Sequence, residues 1–361
     1  MINKIYIKHI FNIYIIRLLY ITLIFSALIF VMNILEELKF FSDNNEVGIA
    51  FPIFFTILNL PSILFEIFPF IILITTQFFF IKIQDKNEIL IFRNNGVNNL
   101  KIIFHVTALV FILGILIITI FHFLSSNMKH SYLQIKNKYT GDNKYLAVIN
   151  ENGLWIKDKL NEEIVIINAE EIDKNLLKNV VISVFDLELR NKKNILAKEA
   201  IITDKIWEIN DVVIVDSEGR KEKVEQSEIK TNFDYLKINS LFSNLESLTI
   251  YELYKQKKDF LSVGLTVSDI DIFINKIFSL PVSLVIFCVL SSILMLNVNF
   301  KKSKTMVIIS GILLSVVIYY VYYFFNLLGS NNKLPIIVAI WLPNVVLFLS
   351  CIIGIININD K

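Results

Sequence analysis

The chain has 361 residues, 55% of them hydrophobic and 19% charged, with a net charge of +2. A soluble domain averages roughly 45–50% apolar residues, so the excess has to sit somewhere, and it is not spread evenly. The net charge says little, being a small difference between 35 basic and 33 acidic residues.

In chain order, charge-free apolar runs fall at 18–35, 67–81, 102–128, 277–300, 305–332 and 334–359. Most exceed the ~18 apolar residues at which a spanning helix becomes the default expectation. The second is short unless Glu66 is accommodated inside it, in which case it extends back through Leu60. Six spans are therefore expected. Lys4, Lys8 and Arg17 precede the first, and no small-residue cleavage site follows it, so it reads as an uncleaved helix. Cys288 and Cys351 both lie inside apolar runs and are expected to be packing residues rather than a disulfide.

Orientation follows from the basic residues of the short loops. The first loop holds Glu36, Glu37, Asp43 and Glu46 against Lys39 alone, an outside signature. The second holds Lys82, Lys86, Arg93 and Lys101, and a later one Lys301, Lys302 and Lys304, both inside signatures. Both termini are thus expected in the cytoplasm, and the long segment between the third and fourth spans outside it.

Within that second loop, Asp85 and Glu88 have capping-box spacing and Gly96 suits the left-handed residue after a helix end. A short helix over about 85–96 is expected. Its apolar residues 89–92 would lie at the membrane face with some aimed at a partner. Chemistry alone leaves Glu88 open between a structural cap and a carboxylate offered to a partner's basic residue.

From 143 to about 233 the pattern changes to short alternating runs, clearest at 185–190, with turn signals at 151–153, 192–194 and 217–219. Six to eight strands with one apolar face imply a sandwich, jelly roll or open barrel. Residues 129–270 carry 21 basic and 24 acidic side chains, which argues against nucleic acid and against a polybasic lipid-binding surface. No His/Cys cluster has metal-ligand spacing and no Ser/His/Asp arrangement suggests nucleophilic catalysis, so neither metal, cofactor nor catalytic residue is expected. Residues 247–259 read as a short amphipathic helix, followed by a linker at Gly264. No GxxxxGK[ST] phosphate loop occurs, so any active transport would draw on a separate ATPase. The domains are 1–128 (three spans and the short helix), 129–270 (the β-domain with its linkers) and 271–361 (three spans).

Several segments in this order resemble the LptF/LptG permease family. They are Phe68-Pro69, Glu88-Ile89 with Arg93 to Gly96, Trp207, Lys276 with Pro281, and Leu334-Pro335 with Leu342-Pro343. The Gly153-Leu154-Trp155-Ile156-Lys157-Asp158 segment is most similar to the LptG form. Ser125-Ser126 departs from the family, which often has proline there. The resemblance implies a polytopic α-helical membrane protein of 3+3 spans with an inserted periplasmic all-β jelly-roll domain. It implies an inner-membrane subunit that extracts lipopolysaccharide and is not itself an enzyme. The partners implied are an LptF-like permease, an LptB-like ATPase dimer and an LptC-like bitopic protein. It favours Glu88 as the coupling carboxylate, supported by Arg93, and offers Lys39 and Lys136 as candidates for lipid head groups. Lys129 and Lys276 are expected to be interfacial. The alternatives are an LptF-type role in the same exporter, or a membrane sensor or scaffold with an outer ligand-binding β-domain.

Overall fold

The structure is a computed structural model describing residues 2–41, 48, 50–139, 147–150, 153–160, 163–173, 175–186, 188, 190–202, 206–233, 244–262, 267–296 and 304–359. Asp43, Glu46, Tyr145, Lys301, Lys302 and Gly264 lie outside the described residues, as do the side chains of Lys4 and Lys304. The chain divides into two compact units, Met1–Tyr132 with Asp271–Lys361, and Leu133–Ile270.

The first unit is helical. α1 (Ile2–Phe41) and α2 (Ala50–Asp85) pack as a long hairpin, and α3 (Glu88–Asn94) is a short helix. α4 (Asn99–Leu116) continues through a π-helical turn at Ile117–Phe121 into α5 (His122–Tyr139). After the β-domain come α7 (Ser268–Leu296), α8 (Lys304–Ser330) and α9 (Ile336–Asn359). Among the described residues, six helical stretches are long and apolar enough to cross a membrane, as the apolar runs require. α2 runs without interruption past Glu66, which meets Lys276 of α7 at 3.4 Å. α4 and α7 cross closely at Gly114, where a Cβ would lie 2.8 Å from Pro281 Cα. Ser283 and Tyr322 both donate to Asn344 Oδ1, at 2.9 and 2.7 Å, and join α7, α8 and α9. Cys288 and Cys351 are free, buried thiols.

The second unit carries seven antiparallel strands: β1 (Ala147–Asn150), β2 (Gly153–Leu160), β3 (Glu163–Asp173), β4 (Leu176–Phe185), β5 (Asn191–Ile202), β6 (Ile206–Asp216) and β7 (Lys221–Lys230). They pair in consecutive order, and among the described residues the sheet is open, with β1 and β7 as its edges. One face forms a core that includes Ile156, Ile167, Ile182 and Trp207. The inward parity changes midway along the long strands, from Leu177 to Val180, Ala197 to Ala200 and Ile209 to Val212. At the same level the pairing skips one residue on each strand. Lys178 pairs with Glu199 and Val180 with Ala197; Asn210 pairs with Gln226 and Val212 with Val224. Asn179 and Asp211 take φ of 50° and 54° there, a left-handed conformation that Asn and Asp tolerate best among non-glycine residues. A line of bends thus crosses the sheet and lets one set of strands curl around a single core.

Two sequence expectations change. Of the expected strand at 185–190, only Phe185 is in a strand, as the last residue of β4; the described residues Asp186, Glu188 and Arg190 lie outside it. Beyond Phe185 the chain turns, because Asp186 Oδ1 accepts the N–H groups of Glu188 and Arg190 at 2.9 Å each. Conversely, 192–194 belong to β5 rather than to a turn. The expected amphipathic helix forms as α6 (Ile250–Ser262). Thr249 and Glu252 close its start as a capping box: Glu252 Oε2 accepts from Thr249 N and Oγ1, both at 2.8 Å.

Candidate functional site

α3 is built by its ends. α2 runs on to Asp85, which leaves only Lys86 and Asn87 before α3 begins. Asn87 is the N-cap, with φ 55° and no side-chain capping bond, so the expected Asp85–Glu88 capping box does not form. α2's own continuation keeps Asp85 in the preceding helix. The other end follows the sequence. Gly96 takes φ 78°, its N–H donates to Arg93 O at 3.0 Å, and Val97 N–H donates to Phe92 O at 2.9 Å. This is a Schellman closure, and its usual apolar pair is present in buried Phe92 and Val97.

Freed from capping, Glu88 turns to α1. Its Oε2 lies 3.0 Å from His9 Nε2, with the Glu88 side chain 13% exposed and that of His9 46%. Tyr6, one turn earlier on α1, packs its ring against Phe92 of α3 and edge-on against His105 of α4. Arg93 Nε donates to Asn99 Oδ1 at 3.3 Å, and Lys101 Nζ to Gly96 O at 3.3 Å. Asn98 caps α4 by accepting from Lys101 N at 3.0 Å. α3 is therefore held by residues of α1 and α4. Leu90 and Ile91 remain more than half exposed on its free face. That arrangement can receive a partner: a fixed apolar ridge flanked by an anion and the exposed Arg93.

At the other end of α1 lies a polar cluster that the sequence did not announce. Glu37, only 1% exposed, accepts from Tyr132 Oη at 2.7 Å. Lys129 Nζ donates to Asn59 Oδ1 at 2.7 Å and sits 5.3 Å from the centre of the Tyr132 ring. Asn59 Nδ2 reaches Asn33 Oδ1 at 3.4 Å. These bonds tie α1, α2 and α5 together with Lys129 among them, and Lys276 is engaged with Glu66. Lys39 is exposed in the last turn of α1, and Lys136 is half-buried in α5. The structure brings Glu88 and Arg93 onto one short helix but does not gather Lys39 or Lys136 with them.

In the β-domain the Gly153–Asp158 segment lies along β2, with Leu154 and Ile156 in the core and Trp155 on the opposite face. Asp158, 1% exposed, accepts from Asn232 N at 2.7 Å and Asn232 Nδ2 at 2.9 Å. Trp207 Nε1 donates to Phe233 O at 2.8 Å, and Phe233 is buried in the core. The chain leaving β7 is thereby fastened to β2 and β6. Among the described residues, no group of three or more His, Cys, Asp or Glu could hold a metal ion.

No curated protein matches the chain. The family described as lipopolysaccharide export system permease LptF/LptG matches residues 8–357, nearly the full length. The six apolar helices, the inserted β-domain and this match agree: the chain belongs to the LptF/LptG family and is a multi-pass inner-membrane permease subunit of lipopolysaccharide export.

Proposed function

We propose that the chain is the LptG-type subunit of an ABC exporter, and that it pairs with an LptF-like permease above an LptB-like ATPase dimer. In this reading α3 and both termini face the cytoplasm, the β-domain lies in the periplasm, and ATP is hydrolysed on the separate subunit. The observation that carries it is α3 itself. A seven-residue helix offering Leu90 and Ile91 to solvent is costly unless something covers it. Its closed C-terminal end and its contacts with α1 and α4 make it a firm point for force to enter.

Glu88 is the coupling carboxylate. His9 holds it in place in the free subunit, and a basic residue of the ATPase would compete for the same oxygen. Movement at α3 would pass directly to α1 and α4, the two helices that grip it. The Gly153–Asp158 segment supports the LptG role, and the apolar β-core supports passage of acyl chains towards an LptC-like bitopic protein. Each methylene exposed on leaving a bilayer costs about 0.8 kcal/mol, so a multi-acyl lipid needs an apolar route. Lys39 and Lys136 are the proposed contacts for lipid A phosphates.

Co-purification tests the coupling. Glu88→Ala is expected to release the ATPase from the detergent-solubilised permease complex while the two permease subunits stay together. An ATPase that remains bound in unchanged amount would remove Glu88 from the mechanism.

A further inference from the structure

α6 presents two unlike faces. Leu253 and Phe260 are buried, and the helix packs beside β1 in the same compact unit. The opposite side carries Tyr251 at 79% exposure, Tyr254 at 51% and Leu261 at 57%, with Lys255 and Lys258 exposed among them. At 100° per residue these five side chains share one side of the helix. Glu252 is turned back into the capping box by its bonds to Thr249.

Large exposed apolar and aromatic groups beside lysines have a specific solvent in which both are satisfied. Tyrosine prefers the membrane–water interface, where its ring meets acyl carbon and its hydroxyl meets head groups. Lysine buries its stem and keeps its ammonium at the phosphates. The chain also limits where α6 can go. Only residues 263–267 separate it from Ser268, the first residue of the fourth span. At ~3.5 Å per residue they reach about 20 Å at most, which holds the C-terminal end of α6 close to the membrane surface at which that span begins.

We propose that α6 is an interfacial helix that lies on the lipid surface where the fourth span begins, with Tyr251, Tyr254 and Leu261 dipped into it and Lys255 and Lys258 at anionic head groups. It would moor the β-domain on the membrane beside β1. The proposal rests on the spans alone and stands whatever lipid the permease carries.

The test uses the full-length chain in nanodiscs of phosphatidylcholine, with and without phosphatidylglycerol. Nitroxide labels are placed at Tyr251→Cys, Tyr254→Cys and, as a reference on exposed β7, Glu222→Cys; the parent chain, treated identically, supplies the blank. The expected result is an oxygen-to-nickel accessibility ratio several-fold higher at 251 and 254 than at 222, rising further with phosphatidylglycerol. That rise is expected to vanish when Lys255 and Lys258 are both changed to Glu. Nickel access at 251 and 254 equal to that at 222 would place the face in water. Shielding from both reagents would place it against protein. Either outcome overturns the proposal.

Discussion

Asp158 ends a six-residue segment that is recognisable in the sequence, yet its task lies 74 residues away at Asn232. Both carboxylate oxygens are used, one on the backbone N–H and one on the side-chain amide. Losing hydrogen bonds to a charged acceptor costs about 1.5–3 kcal/mol. Asp158→Ala is therefore expected to lower the β-domain's unfolding free energy by about that amount, measured by denaturant titration of the purified protein. An unchanged midpoint would show that the chain after β7 is held by other means. Glu88 carries a parallel lesson. Its chemistry and its position near a helix start were legible from neighbouring residues. Its partner His9 was not, because the two meet only when α1 packs beside α3. Lys129 was legible as a basic residue near a span end, but its bonds to Asn59 and Tyr132 depend on three helices meeting.

At the level of elements, the six spans were plain in the sequence because continuous apolarity is a local property that the bilayer selects directly. The strands were legible only in part. Asp186, Glu188 and Arg190, within the alternating run at 185–190, lie beyond the end of β4, and the true strands break their own alternation where the sheet bends. Spacings of three between buried residues, as from Leu177 to Val180, are the trace of that bend.

The turns repeat a chemical unit. Asp186, Glu188 and Arg190 close β4–β5 as Asp216, Glu218 and Arg220 close β6–β7. The arginine Nε lies 2.8 and 2.7 Å from the aspartate in the two turns. Both aspartates are held below the usual carboxylate range, Asp186 first by the Arg190 N–H and then by its guanidinium, Asp216 in the reverse order. A depressed folded-state pKa gives stability that is complete above the unfolded value of about 3.9 and lost as pH falls through the folded value. The β-domain's Tm is therefore expected to fall as pH drops below about 4. In an Asp186→Asn, Asp216→Asn double variant that fall should be shallower, in thermal melts across the acid range. Parallel curves would exclude the turns as the source.

For the whole molecule, the chain combines a helical unit that holds α3 against α1 and α4 with a β-domain that has its own apolar core, and the family match places the chain in lipopolysaccharide export. The presence of two units was legible from the change of periodicity near residue 143 and the return of apolar runs near 277. The consecutive order of the strands was not, because alternation reports a strand's faces and not its neighbours. Depletion of this protein, followed by fractionation of the cell envelope, tests the central claim most directly. Lipopolysaccharide is predicted to accumulate in the inner membrane and to fall at the cell surface as the protein is lost; undiminished delivery to the surface would contradict it.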